Sequence, residues 1–306
     1  MRFEINILGS GSALPLVNRN SPSQYIIVQE RHLLFDCGEG TQLQLRKAKF
    51  KFQKIDHIFI SHLHGDHFLG LTGLLSTFNL LGRKKSIFIY GPEELHHLLN
   101  LTFKSSQSKL RYQMHFYATN AEKAEKIFED NVLQVRSFPL DHKIHCTGFI
   151  ISEKLKTRSL NPEAIKKYQI PIEYFKKLKN GEDYSANNKT IKNTELTHDP
   201  PKVRAYAYCS DTKYYESVIE EIKGVDILYH EATFLEDNKD RAIKTHHSTA
   251  LDAAKIAKLC NAKKLLLGHY SARYKNIKDF EIEAKSVFKN VVAVSDGDTF
   301  EIDQVK

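Results

Sequence analysis

The chain has 306 residues, 41% of them hydrophobic, with 45 Lys+Arg against 37 Asp+Glu and a formal net charge of +8. With only 14 Gly and 8 Pro, collagen-like, disordered and repeat architectures are excluded, and the length allows one large globular domain or two ordinary ones. The longest apolar stretch, Phe68 to Leu81, is shorter than the roughly 20 residues a bilayer needs and is broken by Gly, Thr, Ser and Asn, so it reads as a buried helix and no membrane partner is expected.

In chain order, Glu4 and Asn6 interrupt the start MRFEINILG where a secretion signal needs an unbroken apolar run. Short apolar runs predict strands at 3–8, 25–28, 32–35, 57–60, 87–90, 132–138, 148–151, 204–209, 227–229 and 265–267. Helical spacing predicts helices at 41–48, 68–81, 93–101, 214–222, 248–259 and 279–287, with Thr41 and Ser248 as N-caps. A final strand pair is expected near 291–302. Strands mixed with helices throughout imply a layered α/β domain. Cys37, Cys146, Cys209 and Cys260 lie far apart with no CxxC pair, which suits free thiols in a reducing cytoplasm.

One segment breaks this rhythm. Between Lys154 and Lys192 there are ten Lys/Arg and four acids, an excess of 10 − 4 = +6 in a stretch that also holds Pro162, Pro171, Gly181 and the polar run Ser185 to Asn188. It reads as an inserted excursion over about 154–195 and not a second core.

The densest chemistry is His62-Leu63-His64-Gly65-Asp66-His67, directly after a predicted strand. Two positions apart on an extended chain, His62 and His64 point to the same side and can face one cation. Gly65 lets the chain turn so that Asp66 and His67 can face another. Imidazole and carboxylate donors without thiolate suit zinc or a similar borderline metal in an open, catalytic site. His142, Asp211 and His269 each follow a predicted strand, where α/β folds gather active-site loops, and bring the donors to seven.

HLHGDH resembles the signature of the metallo-β-lactamase superfamily. Within it, GSGSALP (9–15), LLFDCGEGTQ (33–42), LDH (140–142), YCSDT (208–212), HEATF (230–234), HST (247–249) and GHYSARY (268–274) resemble the short form of the ribonuclease Z family, which processes tRNA 3′ ends. The resemblance covers essentially the whole chain and implies a four-layer αββα sandwich, cytoplasmic, with an inserted arm. It also implies two zinc ions, one on His62, His64 and His142, one on Asp66, His67 and His269, with Asp211 bridging. Two close metals can share a hydroxide and clamp a phosphodiester for in-line attack. Asp66 matches the family's proton acceptor, and His247, oriented by Glu231, the group that protonates the leaving 3′ oxygen. Gly38 and Gly40 are expected to serve a backbone turn.

By the same resemblance the basic segment is an arm that grips precursor tRNA, with Lys176, Lys177, Lys179 and Gly181 as its basic, glycine-containing turn, and the enzyme is a homodimer. Phosphate contact is what such charge does best. The chain departs from the family loop after the first strand: Pro15, Arg19 and Asn20 fit, but Val17 stands in place of a lysine, which leaves the handling of precursors with an encoded CCA open. The implied activity is removal of the 3′ trailer. The competing readings are another hydrolase of the superfamily, above all a generic phosphodiesterase, and a non-catalytic RNA-binding protein. HEATF, HST and the basic arm argue against the thioester and lactam versions of the first, and the full donor set against the second.

Overall fold

The computed structural model describes residues 1–186 and 189–304. Asn187 and Asn188, which end the polar run noted above, lie outside the described residues. The chain divides into two compact units, Met1–Ser152 with Ala205–Asp303, and Glu153–Arg204 with Gln304.

The strands before the second unit are β1 (Phe3–Gly9), β2 (Ser23–Val28), β3 (Arg31–Phe35), β4 (Ile55–Phe59), β5 (Ile87–Gly91), β6 (Met114–Ala118), β7 (Glu125–Glu129), β8 (Leu133–Pro139) and β9 (Thr147–Glu153). The second unit holds β10 (Ser159–Leu160), β11 (Tyr184–Ala186), β12 (Lys189–Ile191) and β13 (Thr197–His198), followed in the first by β14 (Ala205–Cys209), β15 (Ile227–Glu231), β16 (Lys264–Gly268), β17 (Val291–Ala293) and β18 (Thr299–Glu301).

In the first unit the strands form two seven-stranded sheets, ordered β18-β1-β2-β3-β4-β5-β6 and β17-β16-β15-β14-β9-β8-β7. Period-2 alternation sorts each strand's side chains onto two apolar layers. Phe3, Ile5, Leu33 and Phe35 of one sheet meet Phe149, Tyr206, Tyr208 and Tyr229 of the other in the central layer. On the outer face of the first sheet, Leu34, Ile58 and Ile89 pack against Leu45, Leu74, Phe78 and Leu99, which lie on helices Thr41–Lys47, Gly70–Leu80 and Glu93–Ser105. On the outer face of the second, Ala207, Leu228 and Leu265 pack against Ala253, Ile256 and Phe280, from helices Ala250–Leu259 and Lys278–Lys285. Helix, sheet, sheet and helix thus stack as an αββα sandwich.

β3 to β6 run parallel, as do β14 to β17. Their C-terminal ends carry the loops that build the site.

Several elements differ from expectation. The final two strands are no pair: β17 extends the second sheet beside β16 and β18 the first beside β1. The helix expected over 68–81 is split into Gly65–Phe68 and Gly70–Leu80, because the Gly70 amide donates to the Cys37 carbonyl at 2.9 Å and a Cβ there would sit 2.1 Å from the Gly38 oxygen. Over 214–222 a single 3₁₀ turn, Glu216–Val218, replaces a helix, and the following turns suffice to bury Val218 and Ile222. Both expected caps shift by one residue. Gly40, at φ +83°, caps the first helix while the Thr41 hydroxyl donates to the Gly38 carbonyl. Thr249 forms a capping box with Asp252, and Ser248 instead donates to the Thr212 carbonyl. β6 and β7 were not expected; each is half-exposed at one edge of its sheet and lacks a long apolar run.

The second unit is built on a small apolar cluster of Ile170, Leu178 and Leu196. Asn161 caps its helix Pro162–Lys167 through Glu163 and Ala164 amides, with Pro at the first helical position. Arg204 forms a buried bidentate pair with Glu153 at 2.8 and 2.7 Å, joining the two ends of the segment.

Candidate metal centre and active site

Loops from both sheets converge within the first unit. Phe59, the last residue of β4, leads into His62, and His64 is the extended residue before helix Gly65–Phe68. His62 Nε2 therefore comes 3.1 Å from His64 Nδ1. The first helical turn swings Asp66 and His67 inward; Gly65 has no left-handed backbone, so the turn comes from helix entry and not from glycine freedom. Gly38 is where glycine is required, since a Cβ would lie 2.1 Å from the Asp66 carbonyl oxygen.

The seven donors form two adjoining groups. In one, His64 Nδ1 is 3.1 Å from both His62 Nε2 and His142 Nε2, and Asp211 Oδ2 is 3.5 Å from His62 Nε2. In the other, His67 Nε2 is 3.3 Å from His269 Nε2, each is 3.4 Å from Asp66 Oδ2, and Asp211 Oδ1 is 3.4 and 3.2 Å away. Asp211 thus presents one oxygen to each group. Donors bonded at about 2.0–2.1 Å to a tetrahedral cation lie about 3.3–3.4 Å apart, so the spacing matches.

The support around the imidazoles gives a stricter test. His67 Nδ1 donates to Asp36 Oδ2 at 2.8 Å, and His142 Nδ1 to the His246 carbonyl at 2.8 Å. Ser61 donates its own proton to Asp36, so it accepts from His62 Nδ1 at 3.0 Å. Thr233, which donates to Glu231, likewise accepts from His269 Nδ1 at 2.8 Å. Each acceptor assigns the tautomer and turns an Nε2 lone pair into the site. Four Nε2 atoms and two carboxylates then converge, and buried Asp211 Oδ1 accepts no hydrogen bond among the described residues. That orphaned oxygen, facing imidazole nitrogens at metal-ligand spacing, shows that the residues present fit a bound metal pair.

Burial, above all, keeps His62 at about 4 and pulls His64 and His142 below the usual imidazole range; these three offer neutral nitrogens. Burial opposes charge on His67 as well, but Asp211, Asp66 and Asp36 together hold it well above that range. Against their own burial, Asp66 and Asp211 are held well below the usual carboxylate range, Asp66 chiefly by His67 and Asp211 chiefly by His269.

Beside the donors, His247 Nδ1 is 2.8 Å from Glu231 Oε1. Glu231 ends β15 and is fully buried, accepting from the Ser248, Thr212 and Thr233 amides. Burial disfavours a charged His247, but Glu231 and then Asp211 overcome it and raise its pKa to about 9. His247 also lies near Asp211 and His269, but with Nδ1 held by Glu231 it is placed for proton donation.

Asp66, Glu231, His247 and the seven donors are thus brought together, while Lys176, Lys177, Lys179 and Gly181 belong to the second unit. Sequence reasoning assigned no role to Asp36, Ser61, Thr233 or the His246 carbonyl, although Asp36 stands in LLFDCGEGTQ and Thr233 in HEATF.

The ribonuclease Z of Porphyromonas gingivalis is 42% identical over 295 residues, spanning 96% of this chain and 97% of the relative. The chain belongs to the ribonuclease Z family. A crystal structure of the short form of human tRNase Z superposes with a TM-score of 0.70 at 27% identity, covering 97% of this chain and 98% of that one. The metallo-β-lactamase fold protein YhfI of Bacillus subtilis, at 19% identity and a TM-score of 0.71 over 98% and 100% of the two chains, shares the fold. Residues 3–160 also fall in the family described as Anti-Pycsar protein Apyc1. That match ends before Asp211, Glu231, His247 and His269, whereas the ribonuclease Z relationship spans them all.

Proposed function

We propose that this ribonuclease Z family member is the endoribonuclease that removes the 3′ trailer of precursor tRNA, leaving a tRNA 3′-hydroxyl and a 5′-phosphorylated trailer. The observation that carries this reading is a complete seven-donor cluster with a carboxylate-held histidine beside it in a chain related to ribonucleases Z over nearly its full length. His62, His64 and His142 would hold one zinc ion and Asp66, His67 and His269 a second, with Asp211 between them; two such cations acidify water and offset charge on a phosphodiester. Asp66 takes the proton of the attacking water. On the far side of the phosphorus, His247 gives its proton to the departing 3′ oxygen, and Glu231 holds the ring and its charge in place.

The basic segment over 154–195 is, in this reading, a tRNA-gripping arm with Lys176, Lys177, Lys179 and Gly181 as its basic, glycine-containing turn. The three lysines are exposed on the short helix Phe175–Lys179, and Gly181 at φ +96° turns the chain just after it, which supports a cation-presenting surface. Homodimer formation belongs to the same proposal on the strength of the family resemblance, and light scattering tests it. A cytoplasmic location is supported by four buried free cysteines; among the described residues no helix is long and apolar enough to cross a membrane.

The test is metal content and chelation. About two zinc ions per chain and trailer removal that a chelator abolishes and zinc restores are expected. One ion or none in a fully active enzyme would overturn the two-metal reading.

A further inference from the structure

The donors open into a cavity of about 650 Å³ in the first unit. Its walls are unlike in charge. Loops of the first sheet contribute Ser12, Pro15, Leu69 and, as the one carboxylate besides the metal-site aspartates, Glu39; loops of the second contribute Lys143, Arg241 and Arg273. These three cations are exposed, and among the described residues none forms an ion pair. Arg273 is nevertheless held in place: its guanidinium lies 5.3 Å from the Phe234 ring centre, with Nε donating to Ser271 Oγ at 3.0 Å and Nη1 3.5 Å from Asn238 Oδ1. Neutral partners fix its position and leave its charge unspent. Arg241 stands three residues beyond Asn238 in helix Lys239–Thr245 and lines the same wall.

His247 shares that wall, 6.2 Å between ring centres from Phe234. Taken with the reading above, on which this inference rests, the leaving 3′ oxygen faces the wall of the second sheet. The RNA that carries that oxygen, lying 5′ to the cut, must then leave along the same wall. We infer that Arg241 and Arg273 bind the phosphate one nucleotide 5′ to the cleaved one, fixing the polarity of the RNA strand across the site. Bidentate guanidinium–phosphate contact is the chemistry that two unpaired arginines on a concave wall offer. Both arginines are substrate-positioning residues; the bond-breaking chemistry stays with the donors and His247.

The test uses precursor tRNA carrying a single charge-neutral methylphosphonate linkage one nucleotide 5′ or one nucleotide 3′ to the cut, with the wild-type enzyme and an Arg241→Gln/Arg273→Gln variant matched for metal content. With wild type, the 5′ neutral linkage is expected to lower kcat/KM by about 10-fold or more, the size of a charged hydrogen-bonded contact, and the 3′ linkage to cost much less. With the variant, which loses a similar factor on unmodified precursor, the 5′ linkage is expected to add little. Arg241→Lys/Arg273→Lys should recover part of the loss. A 5′ linkage without effect, a larger loss from the 3′ linkage, or losses that multiply in the variant would each overturn the assignment. Failure of the trailer-removal reading shows separately, as wild-type enzyme leaving unmodified precursor uncut.

Discussion

The two units of this chain are built differently. The first is stiff: three apolar layers lock two sheets, and its donors and His247 are held by Asp36, Ser61, Thr233 and Glu231, all nearly inaccessible to solvent. The second rests on a cluster of three buried hydrophobic residues and carries an excess of cations, with twelve Lys/Arg against seven acids over 153–204, or 12 − 7 = +5. Bond breaking needs reacting groups held within fractions of an ångström, which only a packed body supplies. Holding a large polyanion, the role proposed for the second unit, needs charge at the surface and tolerates a light scaffold.

That contrast can be broken by experiment. The largest expected effect is Asp66→Ala, which on the proposed mechanism removes both a metal donor and the proton acceptor: trailer removal should fall by about 10³-fold or more, with loss of bound metal, as measured by single-turnover cleavage and elemental analysis. His247→Ala should cost about 10²–10³-fold with metal content intact; an unimpaired variant would remove it as the proton donor. Deleting residues 158–192 should weaken tRNA processing strongly while sparing hydrolysis of a small phosphodiester, and equal loss of both would mean that the segment supports folding. Replacing Lys176, Lys177 and Lys179 by Ala should be milder, flattening the log–log salt dependence of tRNA binding by about one unit for each lysine that meets a phosphate. Asp36→Asn should lower metal affinity by about 10–100-fold with the chain still folded, because it frees the His67 ring without touching a donor atom.

A pH profile sharpens the same point. His247 stands at about 9, so its proton is present through neutral pH and lost as pH rises through 9. Its raised value also means that the ion pair with Glu231 adds stability that is full below pH 6.5 and disappears through pH 9. In Glu231→Gln the largest group that raises the histidine is lost while its burial stays, so its pKa should fall and move the alkaline limb of cleavage to lower pH. An unmoved limb would assign it to another group.

The contrast extends to what a sequence displays. HLHGDH was legible as a metal motif because four donors occur within six residues after a strand. His142, Asp211 and His269 were legible only as polar residues at strand ends until the resemblance joined them. The supports of the site were not legible. Asp36 receives Ser61, 25 residues on, and Tyr208, 172 residues on, and no local pattern announces such pairings. Helix boundaries failed where the backbone is used by the site, as at Gly70 against Gly38, and β6 and β7 escaped because each is half-exposed and lacks a long apolar run.

The most direct test of trailer removal by water is cleavage of a 3′-extended precursor tRNA in H₂¹⁸O, with both products mapped and weighed. A cut at the 3′ end of the tRNA body, an unlabelled 3′-hydroxyl and one ¹⁸O on the trailer's 5′-phosphate are expected from Asp66-assisted attack with His247 protonating the leaving oxygen. A 5′-hydroxyl trailer, a cyclic phosphate on the tRNA, or a label on the tRNA end would contradict it.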